Sequence, residues 1–527
     1  MIRRRTMLAA TGLALGAPRL ATGQSSQRTL RFIPQGNLAN IDPIWTTTTI
    51  ARNHGLMVYD TLFGLDHAFQ PKPQMAGAHE VSADGLVHAI GLRPELRFHD
   101  GEKVLARDCI ASIARWSKRD VLGSRLGLLL EEMRATADDR FEIRLKRPWP
   151  GLAWALGKPS ANICAIMPER VAQTDPFQQI TDYTGSGPFR FRADQWVPGS
   201  LAVYERNTHY VPRDAAPDFL AGGKPVYFDR VEWRIVPDPA TAAAALQNGE
   251  VDWWETPLPD LLPLLRRNSD LAVEAVNTAG TLGVLRFNHL HPPFDKVAVR
   301  RALLPAIDQR AFMQAALGGD QALWQVPAGA FTPGTPLAND AGMEAVTGPR
   351  DIKAAKRALA AAGYDGRKVV VLQPSDYPIL SALAEVAADT MRRVGFAVDQ
   401  QSMDWGTLVQ RRASREPPEK GGWNVFCTTW EGLDVSVPGS HQPLRGNGQQ
   451  AWFGWPTSEG CEALRERWFA AADPAEEKRI AEDLQRLMWE ELPFVPLGHL
   501  RPPQAFRRGL TGLVKGGPAL FWGVKRG

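Results

Sequence analysis

The chain predicts an α/β fold divided into more than one unit, and three observations carry that prediction. Strand-like and helix-like stretches alternate regularly beyond Gly348, at the spacing of a largely parallel sheet covered by helices. The 527 residues are 44% hydrophobic and 22% charged, enough apolar material for several cores. Residues 92–116, LRPELRFHDGEKVLARDCIASIARW, read as strand, tight turn, second strand and amphipathic helix, so the mixed character starts early. The formal charge of +4 is slight for this length and gives no case for nucleic acid or an anionic membrane. No uninterrupted apolar run is long enough to span a bilayer.

The first residues read as a targeting segment. Arg3, Arg4 and Arg5 precede a weakly apolar stretch, and Ala21-Thr22-Gly23 offers small residues for cleavage. Arg4-Arg5-Thr6-Met7-Leu8 resembles a twin-arginine export signal, while an ordinary secretory signal fits the same residues. Residues 1–23 are therefore set apart from the fold, and the mature protein is expected in the periplasm. Export permits disulfides, but the four cysteines do not form a framework. Cys109 lies on an apolar helix face, Cys164 in an apolar run and Cys427 in a strand. Only Cys461 reads as partly exposed, and Cys427–Cys461 is the least disfavoured pair. Small buried hydrophobes are the expected role of the cysteines.

A strand is predicted over 28–33. His99-Asp100-Gly101 has turn chemistry, and from Ala106 the period becomes helical, with Cys109, Ile113 and Trp116 on one face. Leu105 leaves that helix without a capping oxygen, a loss of about 1 kcal/mol. Residues 120–130 continue helical, 141–145 alternate as a strand, and 149–167 are loop-rich and apolar. A strand over 231–236 precedes a helix over 240–248, ended by Gly249. A strand over 285–288 leads into a helix with Asp295 at its cap, which Pro305 should kink or end. Helices over 351–362, 379–394 and 405–415 then alternate with strands over 368–373, 396–402 and 424–429. Two further helices follow Ser458.

Several of these stretches resemble one family in the same order. Leu92, Arg93, Phe98, His99, Asp100, Gly101, Ala106, Asp108, Ser112 and Arg115 match the pattern LRxGvkFhDGxpltAxDVvxSlxR of extracellular solute-binding proteins, family 5, which serve ABC importers of peptides and nickel. Asn37 to Pro43 resemble its L-x-x-L-D-P, and Val58-Tyr59-Asp60-Thr61-Leu62 its v-Y-D-x-L. Thr184 to Phe189 resemble its G-T-G-P-Y turn, and Leu492 to Leu497 its closing a-P-f-i-P-l. The resemblance implies a bilobal, periplasmic-binding-protein-like (Venus-flytrap) fold with a double-crossing hinge. Lobe one would comprise residues 24–70, 184–286 and 494–527, with an inserted subdomain over 71–183. Lobe two would run over 287–493. The implied function is capture of a small solute, peptide or peptide-like, between the lobes. Delivery would be to ABC permease membrane subunits and their ATPase, by a protein expected to be monomeric and free of cofactors.

No P-loop, G-x-S-x-G or H-E-x-x-H pattern occurs, so neither transport energy nor catalysis is assigned to this chain. His289 and His291 lack the further ligands of a metal site, and Glu131-Glu132 and Asp138-Asp139 read as a solvated helix face and turn. Among the 17 tryptophans, Trp116, Trp233 and Trp489 follow apolar periods. Trp45, Trp405, Trp430, Trp452 and Trp455 stand in loops or at element ends and could wall a pocket or fill a core. Residues 428–445, TTWEGLDVSVPGSHQPLR, follow a strand where α/β lobes bind ligands. The matching family segment, W-x-g-D-x-x-D-P, lines the cleft, and peptide binders use an Asp there for the peptide amine. Here Trp430 and Asp434 remain, while Ser436-Val437-Pro438 replace the second Asp-Pro. Candidate ligand contacts are therefore Trp430, Glu431, Asp434, His441, Arg445 and Trp405, with Trp45, Asn53, His54, Arg119 and Asp120 from lobe one. Arg445 suits a carboxylate. The alternatives are a receptor for a non-peptide solute, such as an oligosaccharide or metal chelate, a secreted hydrolase, or a chaperone-like periplasmic protein.

Overall fold

The computed structural model describes residues 28–527 apart from residue 472; the expected signal segment lies outside the described residues. Two large sheets form two lobes. The first has the order Leu271–Glu274, Gln504–Arg507, Trp253–Trp254, Thr29–Ile33, Arg230–Arg234, Leu201–Arg206, Phe189–Phe191. The second has the order Trp324–Gln325, Phe494–Leu500, Thr281–Phe287, Val425–Glu431, Lys368–Pro374, Ala397–Met403. A four-stranded antiparallel sheet between residues 76 and 145 carries its own core.

The second sheet is mixed, not largely parallel. Lys368–Pro374 runs parallel to Ala397–Met403, joined by the helix Pro378–Val394, and parallel to Val425–Glu431. The other three pairings are antiparallel. Strands linked through a covering helix can lie parallel; Thr281–Phe287 and Phe494–Leu500 instead enter from and leave toward the first lobe. Both belong to the second sheet and pair with each other, so the lobe boundaries expected at 286/287 and 493/494 are displaced. The chain crosses through residues 275–280 and 501–503, and His499 Nε2 lies 2.8 Å from the Ala279 carbonyl oxygen beside these crossings.

Local chemistry explains most element ends. Gly249 stops the helix Pro239–Asn248 in the left-handed conformation at φ 75°, where a side chain would be strained. The helix before Pro305 is only Val297–Arg301; its cap position is Lys296 rather than Asp295, with no side-chain cap. Residues Leu304–Ala306 then form a 3-10 turn around that proline.

Residues 92–116 are the framework of the inserted subdomain. The expected second strand is reduced to one bridge, Arg97 with Lys103. The helix Ala106–Trp116 buries Cys109, Ile113 and Trp116. Leu105 has no oxygen to offer, but Asp108 Oδ2 accepts from the Leu105 backbone N–H at 2.8 Å, which is half of a capping box. The remaining motif residues bind other motifs. His99 receives the Gly185 N–H at Nδ1 and has Nε2 3.0 Å from the Gly187 carbonyl oxygen. Arg115 donates to both oxygens of Asp42, at 3.2 and 2.7 Å, with both side chains buried. All four cysteines are free and buried; Cys461, expected to be partly exposed, donates to the Leu444 carbonyl oxygen. Glu131 and Glu132 are exposed on the strand Leu130–Ala137, not on a helix.

A second buried pair supports the subdomain. Asp120 caps the helix Val121–Leu129 through the N–H groups of Leu122 and Gly123, and stands 2.8 Å from Lys158 Nζ. Lys158→Met should cost about 3–5 kcal/mol in urea unfolding, because it leaves a buried carboxylate uncompensated. Lys158→Met with Asp120→Asn should recover part of that loss.

Candidate functional site

The helix Thr49–Val58 is buried from Ile50 to Val58, although Arg52-Asn53-His54 interrupt its apolar sequence. Positions two apart on a helix face different ways, and these side chains divide accordingly. His54 turns into lobe one, with Nδ1 2.9 Å from Tyr204 Oη and its ring edge-on to Phe191. Burial holds its imidazole down at about 3, so it is neutral. Arg52 and Asn53 form a buried chain of contacts: Arg52 donates to Asn53 Oδ1, and Asn53 Nδ2 donates to Glu255 Oε1 at 3.3 Å.

Glu431 ends the strand Val425–Glu431 and reaches across from lobe two. It accepts from Thr49 Oγ1 at 3.3 Å and from Asn277 Nδ2 at 2.8 Å, and stands 4.0 Å from Arg52 Nη2. Asn277 belongs to the crossing segment, so the hinge and both lobes share this carboxylate. The chain then turns, with the Asp434 N–H bonded to the Glu431 carbonyl oxygen at 2.9 Å. Leu433 inserts into the core of lobe one. Asp434 is 4% exposed, and its Oδ1 has no hydrogen-bond partner among the described residues. Burial pushes its carboxyl up to about 6; Arg52 opposes the rise and Glu431 adds to it.

Glu255 completes the group. It follows the strand Trp253–Trp254, is 7% exposed, and accepts the Gln35 N–H at 2.9 Å. Burial raises its carboxyl to about 7; Gln35 opposes this and the charge of Glu431 reinforces it. Tyr377, from lobe two, donates to Gln35 Oε1 at 3.3 Å and packs edge-on against Trp405. Burial pushes its phenol up. Trp430 packs edge-on to Trp452 at 5.0 Å, is 5% exposed, and leaves Nε1 unpartnered among the described residues.

The structure thus gathers Asn53, Trp405, Glu431 and Asp434 with Trp430 close by. It engages other sequence candidates elsewhere. His441 is inside lobe two, with Nε2 2.9 Å from the Ala330 carbonyl oxygen and Nδ1 accepting the Leu444 N–H. Arg445 donates from Nε to both oxygens of Glu462, at 3.1 and 3.2 Å, within lobe two. Asp120 is the helix cap paired with Lys158, and His54 is a core residue. Arg119 stacks over Trp45 at 5.0 Å and Phe177 at 5.2 Å, a separate unit of lobe one. His289 and His291 bond to different carbonyl oxygens, of Pro493 and Arg415. Trp430, Trp452 and Trp455 all belong to the lobe-two core, and Trp430 is the one of the three next to Glu431 in the chain. Sequence reading missed Arg52, Glu255, Asn277, Gln35 and Tyr377. For Arg52 a signal existed, a charge inside an apolar helix; Glu255 had only its place after a tryptophan pair.

The lobes also touch away from these residues. Arg125, on the helix Val121–Leu129, bonds both oxygens of Glu466 at 2.8 and 2.9 Å and lies 3.6 Å over the Phe469 ring.

The comparisons with known proteins agree with this architecture. The model of bacterial extracellular solute-binding proteins, family 5 Middle, matches residues 70–452. The chain is 38% identical over 522 residues to y4tO of Sinorhizobium fredii, named a probable peptide ABC transporter periplasmic-binding protein, covering 98% of this chain and 97% of that one. It is 26% identical to the glutathione-binding protein GsiB of Pectobacterium atrosepticum, covering 92% and 90%. Among solved structures, AgaA of A. tumefacien R10, in complex with agropinic acid, superposes with a TM-score of 0.80 at 21% identity, covering 95% and 99%. DppA of Helicobacter pylori, in complex with the peptide STSA, superposes with a TM-score of 0.79 at 19% identity, covering 94% and 98%. Two facing α/β lobes, two chain crossings and motifs matching in order have one reading: the chain belongs to the bacterial extracellular solute-binding proteins of family 5.

Proposed function

We propose that this chain is the exported substrate-binding component of an ABC importer and captures a short peptide or peptide-like solute between its lobes. One observation carries the choice of site. Asp434 Oδ1 and Trp430 Nε1, both of lobe two and flanking Glu431 in the chain, are deeply buried and have no hydrogen-bond partner among the described residues. Buried polar groups of folded proteins are ordinarily partnered, and a solute with a donor and an acceptor would satisfy both. An ammonium suits Asp434, and Trp430 supplies an aromatic wall and a donor. Trp405 and Tyr377 extend the wall, and Asn53 and Glu255 face it from lobe one.

The solute would bind the open form first. Closure through residues 275–280 and 501–503 would bring Glu431 onto Thr49 and Arg52, contacts that exist only when the lobes meet. The closed protein, a monomer, would dock on the permease subunits, whose ATPase supplies the energy. Residues 1–23 would direct export and be removed near Gly23. The names of the relatives y4tO and GsiB favour peptide-type solutes.

Two measurements test this. Native mass spectrometry of purified protein should show a co-purified small solute. Calorimetric titration with that solute should show Trp430→Ala and Asp434→Asn binding at least roughly tenfold more weakly, a change of about 1.4 kcal/mol. Unchanged affinity in both variants, with normal unfolding, removes them from the site.

Stability should also depend on pH through the raised carboxyls. Glu255 moves from 4.5 to about 7 on folding, so the folded form holds a proton that the unfolded form has released. Its stabilising contribution is complete below about 4.5 and is lost as pH rises toward 7, on the order of 3 kcal/mol in total. Asp434 acts with the same sign between 3.8 and about 6. Urea unfolding from pH 4.5 to 8 should show Glu255→Gln with a shallower decline than the wild type; parallel declines would exclude Glu255 as the source.

A further inference from the structure

The inserted subdomain meets lobe two at residues that belong neither to the hinge nor to the candidate site. Its helix Val121–Leu129 lies against the end of the helix Glu459–Phe469. Arg125 donates to both oxygens of Glu466, at 2.8 and 2.9 Å, and its guanidinium lies 3.6 Å from the centre of the Phe469 ring. Trp149 of the subdomain stands edge-on to that ring at 6.3 Å, with its own ring centre 5.8 Å from the guanidinium. Phe469 therefore ends a lobe-two helix while packing on the core of the subdomain. A β-carbon on Gly439 would stand 3.0 Å from Trp468, 3.2 Å from Phe469 and 3.3 Å from Leu122, so the loop beyond Asp434 joins the same contact.

Ordinary surface ion pairs contribute little, and this one differs in how it is enclosed. The Arg125 side chain is 12% exposed, whereas that of Glu466 is 59% exposed. Burial lowers the pKa of the guanidinium, and the bond to Glu466 opposes that. A cation drawn out of water needs an anion or an aromatic face, and Arg125 finds both on lobe two. Separating the lobes would take Glu466 and Phe469 away from Arg125 and return more of the Phe469 ring to water. Contacts that exist only when the lobes meet raise the population of the closed arrangement, whatever occupies the cleft.

We infer that the inserted subdomain is a clasp on lobe two, with Arg125 and Trp149 gripping Phe469 and Glu466 and shifting the lobes toward the closed arrangement. This rests on the reading of the lobes as a pair that opens and closes, and not on what binds between them. The clasp has two components that respond differently to salt. The Glu466 carboxylate is exposed, so its attraction for Arg125 is screened by added ions. The packing of Phe469 on Trp149 and the subdomain core is apolar and persists.

Small-angle X-ray scattering of the purified protein, without added solute, tests this by comparing the wild type with Glu466→Gln, Phe469→Ala and the double variant. Each is first checked for a native circular dichroism spectrum. The radius of gyration should rise in Glu466→Gln, further in Phe469→Ala and most in the double variant. Raising sodium chloride from about 0.05 to about 1 M, where the screening length falls to about 3 Å, should raise the wild-type radius more than that of Glu466→Gln. Asp389→Asn, which breaks an exposed lobe-two pair with Arg393, should leave the radius unchanged. A radius unchanged in Phe469→Ala and in the double variant overturns the clasp. If Phe469→Ala fails to fold, Glu466→Gln decides alone, and an unchanged radius at low salt overturns the inference. Failure of any peptide to bind bears on the solute and leaves this result untouched.

Discussion

One carboxylate, that of Glu431, ties the hinge and both lobes together. It closes the strand Val425–Glu431, whose partner Thr281–Phe287 is the first strand after the crossing, with Thr281 opposite Glu431. Its oxygens take hydrogen bonds from that crossing, through Asn277, and from lobe one, through Thr49. Arg52 supplies the nearby positive charge. A carboxylate largely withdrawn from water is costly unless each oxygen is answered, and here the answers come from two separate parts of the chain, the crossing segment and the helix Thr49–Val58. The end of one sheet, the hinge and a lobe-one helix are thereby fixed against one another.

Much of the fold was legible because periodicity and turn chemistry are local. The apolar face of Cys109, Ile113 and Trp116, the glycine stop at Gly249 and the break at Pro305 all follow from neighbours in sequence. The order of motifs identified the family for the same reason. Contacts between distant residues were not legible. Arg115 and Asp42 were each visible within a motif, but nothing local says that they are partners. Arg445 and His441 have the chemistry of ligand contacts; Glu462 and the Ala330 carbonyl engage them, and neither contact leaves a trace in the run 428–445. The mixed sheet was missed because strand–helix alternation describes the strands between the crossings, not those that make them.

The loop after Glu431 explains why the cleft is tight. Gly432 lies against the backbone of Ala279, and its N–H bonds the Gly280 carbonyl oxygen at 2.8 Å, a closeness that a side chain would prevent. Leu433 then leaves lobe two altogether and seats among the apolar residues of lobe one. Burying a leucine contributes about 1.5–3 kcal/mol, so each opening of the lobes must expose it against that preference. The solute-facing wall of Trp430 and Asp434 is carried on the same short segment, so access and closure are governed together.

The buried cysteines give the molecule a chemically silent surface. Cys109, Cys164, Cys427 and Cys461 are enclosed, and burial raises every one of their thiols, so a thiol-seeking reagent in water meets no ready nucleophile on the folded protein. A single cysteine placed at the rim could carry a fluorophore without competition from the native four. The wild-type sequence is already a suitable background for an optical reporter of lobe movement.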